Sequence, residues 1–381
     1  MTRRRRARSA MAGLAVGMLA ACSSASGGDA ALVRAGPGTG RGGGQAFTAE
    51  ALAPSGAAPA PPMAGAAPTD AANATTAPPG TAAAAPVPSE PAPTTAVAPT
   101  APPPGPAPAP PGTGRFSIDA YRGLGTWLDV YDWSATFTGG NPPAGIGDID
   151  RMADLGVQTL YLQASKWDSP TDILEPERLM PLIDRAHARG MRVVGWYLPT
   201  FEDPSADLRR LLAVAALPLD GLGVDIESRV VADVAERNHR LVDLSTALRQ
   251  ALPGEVLSAI VLPPVVMEDV NPAYWPGHPW AELGPLFDVW QPMNYWTNRT
   301  EASGYRDAYT YTAENIERVR ARIGQPEALV HPVGGIGDAT TVTDVEAMLG
   351  AAGERGAIGG SLYDYRTTHD ALWSPLQAFR T

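Results

Sequence analysis

Asp225 and Glu227 are the residues of this chain best placed to do chemistry. They close the run LPLDGLGVDIES, from Leu217 to Ser228. Side chains in a strand alternate, so i and i+2 share a face. Gly223, Asp225 and Glu227 then lie on one side, and Leu222, Val224 and Ile226 on the other. Two carboxylates about 6.5–7 Å apart along a strand repel when both are ionised. One of them can keep its proton near neutrality and serve as a general acid. The competing role is local: an acid or serine at a strand end caps the next helix, and Glu227 or Ser228 could do so. Asp220, at the far end of the run, reads as structural.

Other carboxylates offer a second arrangement. In TWLDVYDW, Leu128 and Val130 alternate with Trp127, Asp129 and Tyr131, which puts the last three on one inward face. Asp129 with Asp364 would make a two-carboxylate hydrolase that supplies its own nucleophile or base. Turn capping by Asp129 and Asp132 is the alternative. Gln163, Ser165, Lys166, Trp196 and Tyr197 stand at further strand ends, and two later loops, NPAYWPGHPWAEL and NYWTNRTEASGYRDAYTYT, are rich in Trp and Tyr. Aromatic side chains in loops can stack on sugar faces. The five histidines lack metal-ligand spacing, and no C-x-x-C, H-E-x-x-H or G-x-S-x-G occurs. No metal, other cofactor or esterase triad is predicted.

The elements that must position these residues follow from the alternation of short apolar runs and helical patterns. Eight runs qualify as strands: GLGTWLDVYD, VQTLYLQAS, MRVVGWYLP, GLGVDIES, VLSAIVLPP, FDVWQPMNYW, ALVHPVGGIG and GAIGGSLYDY. ILEPERLMPLIDRAHARG reads as a helix stopped by Gly190. VVADVAERNHRLVDLSTALRQAL places Val230, Val234, Leu241, Leu244 and Leu248 near helical spacing. Strand–helix alternation implies a parallel sheet, and eight units within residues 115–381 predict a single (β/α)8 TIM barrel. No G-x-G-x-x-G follows the first run, which disfavours dinucleotide binding. Active sites in such barrels occupy the C-terminal ends of the strands, where Asp225 and Glu227 fall. Pro292 sits inside the sixth run and demands a bulge or an earlier strand end.

Asp220-Gly221-Leu222-Gly223-Val224-Asp225-Ile226-Glu227 resembles the D-G-x-D-x-D-x-E signature of glycoside hydrolase family 18, the chitinase-type barrels. Gln291-Pro292-Met293-Asn294-Tyr295 is similar to that family's Q-x-M-x-Y, and GGSLYDY to the opening of its last strand. The resemblance implies that Glu227 protonates the glycosidic oxygen and Asp225 orients the substrate acetamide. It further implies that Tyr295 contacts the acetamide, whose oxygen attacks the anomeric carbon. Gln291, Met293, Asp129, Tyr131, Trp196 and Asp364 complete the predicted substrate-binding set. Three positions depart from the pattern: Gly223 replaces the middle Asp, Trp296 follows the Tyr where many members have Asp, and Asp364 falls where the last strand supplies a Trp.

The N-terminal part is of another kind. Residues 1–21 begin with an arginine cluster and an apolar run too short to span a membrane, and read as a signal peptide. Leu19-Ala20-Ala21-Cys22 resembles a bacterial lipobox, with Cys22, the chain's single cysteine, as the lipidated residue. Arg3-Arg4 also permits twin-arginine export. Residues 22–114 are Ala, Pro, Gly and Thr, with almost no large apolar residue to offset ordering entropy. They predict a disordered, semi-stiff linker reaching on the order of 250 Å when extended. The chain carries 381 residues and a formal charge of −11, which argues against a general nucleic-acid binder. The expectation is a lipid-anchored protein on the extracytoplasmic face of the cell membrane, whose barrel hydrolyses a polysaccharide or cell-wall glycan. A glycan-binding barrel without catalysis, or a scaffold for protein partners, stays open.

Overall fold

The computed structural model describes residues 114–381. The predicted signal segment, the lipidation site at Cys22 and all but the end of the predicted linker lie outside the described residues. Among the described residues, no helix is long and apolar enough to cross a membrane.

The strands form one parallel sheet. β1 (Gly123–Leu128) pairs with β2 (Thr159–Gln163), followed by β3 (Arg192–Tyr197), β4 (Gly221–Ile226), β5 (Leu257–Val261), β6 (Val289–Pro292) and β7 (Leu329–Val330). On its other side β1 pairs with β9 (Gly359–Tyr363), which pairs with β8 (Val333–Ile336). β7 and β8 are two halves of one strand position, split at His331-Pro332. The first half bonds to β6 and the second to β9, and a parallel bridge joins Met293 to Val333. The sheet therefore closes on itself with eight strand positions, the (β/α)8 barrel expected from the sequence. Pro332 has no N–H to give the ladder, which accounts for the interruption.

Helices follow the strands and cover the outside: α2 (Ile146–Asp154), α3 (Pro176–Ala188), α4 (Pro204–Ala215), α5 (Val234–Ala251), α7 (Ala308–Ile323) and α8 (Val342–Glu354), with short α1 (Val130–Trp133), α6 (Trp280–Leu283) and α9 (Asp370–Leu376). Gly190 ends the turn after α3 at φ +76°, a left-handed conformation glycine adopts without strain. α5 starts later than its apolar spacing suggested. Asp233 caps it by accepting the Glu236 N–H at 3.0 Å, and Val230 is left outside the helix and exposed.

The strand faces separate as the pattern requires. Leu222, Val224 and Ile226 are buried in the core, each contributing about 1.5–3 kcal/mol of transfer free energy. The opposite end from the site is plugged by Tyr121, in a short helical turn at Ile118–Tyr121. Its hydroxyl accepts the Leu222 N–H at 2.9 Å and donates to the Leu222 carbonyl at 3.0 Å. Asp220 sits at this same end. Its Oδ2 accepts the Val193 N–H at 2.8 Å and faces His187 Nε2 at 2.8 Å, tying β3 to the start of β4. Inside the barrel His331 lies between the Tyr121 carbonyl and the Ser361 hydroxyl, and burial lowers its pKa to about 4. It is a neutral packing histidine.

Candidate active site

β4 delivers its two acids to the open end of the barrel. Asp225 is 5% exposed, opposite Ile260 of β5, and Glu227 follows one residue past the strand end, half-buried. They border a pocket of ≈ 310 Å³, counted to its open mouth. Trp127, Trp196 and Tyr363 form aromatic walls, Tyr295 stands at the rim, and Ile260, Met293 and Val333 supply apolar surface. Trp127 is fixed by stacking on Tyr161 at 4.2 Å and by donating its indole N–H to Ser361 Oγ at 2.9 Å.

The capping alternative for Glu227 does not occur: Asp233 caps α5, and the Ser228 hydroxyl accepts the Val230 N–H instead. Asp225 Oδ1 is buried with no hydrogen-bond partner, a situation that costs about 1–3 kcal/mol. Burial raises the Asp225 pKa well above the usual range, and the charge of Glu227 raises it further. Burial also pushes Glu227 up to about 7. The pair thus retains a proton near neutrality.

Gly223 explains why Asp225 lacks a neighbour below it. In register it lies beside Trp196 and Ser258. A Cβ there would stand 3.0 Å from Ile260 Cδ1 and 3.3 Å from both Ser258 Oγ and Trp196 Cβ. A side chain at 223 would fit only if these neighbours gave by a few tenths of an ångström.

Tyr295 reaches the rim through an irregular turn. β6 ends at Pro292, so the proline needs no ladder N–H. Beyond it Asn294, Tyr295 and Trp296 each donate a backbone N–H to the carbonyl two residues back. Burial and the charges of Glu227, Asp225, Asp364 and Asp129 hold the Tyr295 phenol protonated, as a neutral donor beside the acids. Gln291 faces inward one layer lower, fully buried near Tyr161, and does not line the pocket; Met293 does.

No family model matches the chain, and no curated protein matches it. Solved structures do. The spore cortex-lytic enzyme SleL of Bacillus cereus is 10% identical over 68% of this chain and 74% of its own, with a TM-score of 0.50. A GH18 chitinase from Pseudoalteromonas aurantia is 15% identical over 68% and 98%, TM-score 0.49. One from Cycas revoluta, solved as a mutant with (GlcNAc)4, is 14% identical over 68% and 99%, TM-score 0.49. The chain shares the TIM-barrel fold of SleL. At these identities the likeness is one of fold.

Within this barrel the β1 end differs from its strand pattern. The strand stops at Leu128 and the chain turns into α1, so the alternation that would align Trp127, Asp129 and Tyr131 is broken. Asp129 caps α1, accepting the Tyr131 N–H at 2.7 Å, and Tyr131 packs on Phe137 outside the pocket. Asp129 Oδ2 also accepts the Tyr363 hydroxyl at 2.9 Å. It acts behind the pocket wall, on the residue that forms it.

Asp364 likewise turns away from the pocket. Its carboxylate accepts the Thr367 N–H at 2.9 Å and gathers with Asp129 and Asp132, whose oxygens lie within 4.8 Å of one another. Tyr363, one residue earlier, is the aromatic that the last strand supplies, and the sequence reading passed over it. Its signal was present: Ser361 and Tyr363 share a face of the strand. Among the described residues the three aspartates have spacing that could hold a cation. Arg366 Nη1, 3.4 Å from Asp132, and the Tyr363 hydroxyl already meet them. Burial, then the charges of Asp129 and Asp364, push Asp132 up to about 8. Burial pushes Asp129 up to about 6.

The aromatic loops are core more than rim. Trp275, Trp280 and Trp296 are buried. His278 lies between Trp275 and Trp280, and burial lowers its pKa to about 3. The exposed tryptophan at the mouth is Trp167 after β2, 49% exposed, with Lys166 Nζ 5.0 Å from its ring centre.

Proposed function

We propose that the protein is a glycoside hydrolase acting on an N-acetyl-sugar polysaccharide of the cell envelope. The observation that carries this reading is Asp225 Oδ1, a buried acceptor with no partner, beside Glu227 in an aromatic-walled pocket. An acetamide N–H would supply the missing donor. A carboxyl group whose pKa is near 7 suits a general acid at neutral pH. In the proposed reaction Glu227 gives its proton to the glycosidic oxygen as that bond to the anomeric carbon breaks. The acetamide oxygen forms the new bond, with Asp225 holding the N–H and Tyr295 donating to the acetamide. Water then opens the ring so formed, giving its proton to Glu227, which restores the acid. The enzyme contributes no covalent nucleophile, so Asp129 and Asp364 are not needed near the sugar. Trp127, Trp196 and Tyr363 offer flat surfaces for sugar rings.

Anchoring belongs to the same proposal. Lipidation of Cys22 would tether the barrel to the extracytoplasmic face of the membrane, and the Ala/Pro-rich segment would set its reach into the wall. The support is the arginine-led apolar run ending at the single cysteine. A second reading, glycan binding without cleavage, is favoured by Gly223, which leaves Asp225 without the family's second carboxylate. Full-length wild type and Glu227→Gln, tested on chitooligosaccharides, peptidoglycan fragments and neutral glycans, distinguish the two. Cleavage lost in the variant supports hydrolysis, whereas saturable binding with no cleavage by either supports the second reading. Labelling with a fatty acid analogue, lost in Cys22→Ala, tests the anchor.

A further inference from the structure

Two arginines follow the pocket residue Glu227 in the chain after β4. Arg229, two residues past Glu227, is exposed, and its guanidinium carbon lies 4.1 Å from the centre of the Tyr274 ring. Arg237, in the first turn of α5, is 3% exposed and lies 4.2 Å over Trp275. Its Nη1 donates to the Val231 carbonyl at 3.2 Å, while its Nε has no partner. The charge of Arg229 acts on Arg237, and the charge of Glu227 acts on Tyr274. Arg229 thus packs on Tyr274, and Tyr274 lies within electrostatic reach of Glu227 and Arg237.

Neither arginine forms an ion pair among the described residues. Lys166, the cation at the β2 end of the mouth, is paired with Asp168 at 2.6 Å. The formal charge of the chain is −11, so acids are not scarce. A nearly buried guanidinium without a carboxylate is costly, and a second cation beside it adds repulsion. Ring faces offset only part of this. An arriving anion would offset the rest, and a planar guanidinium matches a carboxylate with two parallel hydrogen bonds.

We infer that Arg229, backed by Arg237 and Tyr274, binds a carboxylate carried by the substrate on a sugar adjoining the one at Glu227. This rests on the glycan reading above and narrows it to acidic glycans. Two sources share the chemistry: a lactyl ether on an N-acetyl sugar, and the C6 carboxylate of a uronic acid.

The test uses full-length Glu227→Gln, so that binding is read without turnover, and titrates three oligosaccharides of equal length. One is a neutral N-acetylglucosamine oligomer, one carries lactyl ether carboxylates on alternate sugars, and one carries uronic acids. An acidic oligomer should bind about tenfold tighter than the neutral one, the scale of one charge-assisted contact at a partly exposed site. The acidic-to-neutral ratio should fall to about one in Arg229→Gln, stay partly raised in Arg229→Lys, and shrink with added salt. Which acidic oligomer gains identifies the source. Equal binding of all three, or a ratio unchanged by Arg229→Gln, overturns the inference while cleavage of the neutral oligomer by wild type leaves the glycosidase reading standing. If no oligomer is bound or cleaved, the glycan reading fails and this inference with it.

Discussion

Asp132→Asn should remove one distinct share of the alkaline loss of stability in this barrel. Asp132 is 2% exposed, and its oxygens lie within 4.8 Å of those of Asp129 and Asp364. Two unit charges at that distance repel by about 3.5 kcal/mol at an effective dielectric of 20. The three cannot all ionise at that cost, and Asp132 is pushed up to about 8, first by burial and then by its neighbours. The folded chain therefore holds a proton on Asp132 that the unfolded chain releases near pH 4. Stability from this group is fully present below that point and is lost as pH rises to about 8. The span is about four pH units, and at about 1.4 kcal/mol each its ceiling is ~6 kcal/mol. Proton sharing with Asp129 and Asp364 lowers this, as does the Arg366 guanidinium 3.4 Å away. The loss expected between pH 5 and pH 9 is about 2–3 kcal/mol. Asn cannot ionise, but it accepts the Asp129 N–H less well and turns an amide toward Arg366. Urea denaturation should find the variant about 1 kcal/mol less stable at pH 5 and as stable as wild type or more so at pH 9. Repulsion among the remaining charges is common to both chains and cancels in the comparison. Parallel stability curves for the two would refute the buried-proton argument.

Other consequences are as specific. Cleavage by wild type should decline above about pH 7, because only protonated Glu227 can donate; a flat kcat/KM from pH 6 to 9 would contradict that. Asp225→Asn should lower turnover of N-acetyl glycans by on the order of 10²-fold, read against retained binding of the same sugar by calorimetry. Tyr363→Phe removes the donor to a buried carboxylate and should cost about 1–3 kcal/mol in a denaturant titration. The same change should raise the Asp129 pKa above about 6, since that bond lowers it, which carboxyl NMR titration would follow. Asp220→Ala breaks the tie to the Val193 N–H at the closed end and should cost about 1–2 kcal/mol of stability with no change in turnover.

The barrel was legible because each strand position carries a short apolar run between turn residues, and because parallel strands need helices between them. The inward face of β4 followed from strict alternation, which holds as long as the strand does. The same rule misled at β1, where the capping tendency of Asp129 ended the strand at Leu128, three residues before Tyr131. At the last strand the pocket aromatic is Tyr363, on the same face as Ser361, while Asp364 turns to the Thr367 N–H. The Trp and Tyr content of the loops after β5 and β6 was visible, but composition does not say which side of a loop faces the core. Arg237 illustrates the limit most clearly: a charged residue near a helix start reads as solvated, and its burial over Trp275 depends on how two loops pack.

In the proposed reaction Glu227 is the acid that cleaves a glycan held by Asp225. The most direct measurement is the rate at which full-length wild type and Glu227→Gln release reducing ends from an N-acetylglucosamine oligomer at pH 6, with binding recorded in parallel. Wild type should cleave, and the variant should lose about 10²–10⁴-fold in rate at little change in affinity. Equal rates in the two, or binding by both with no bond broken by either, would contradict it.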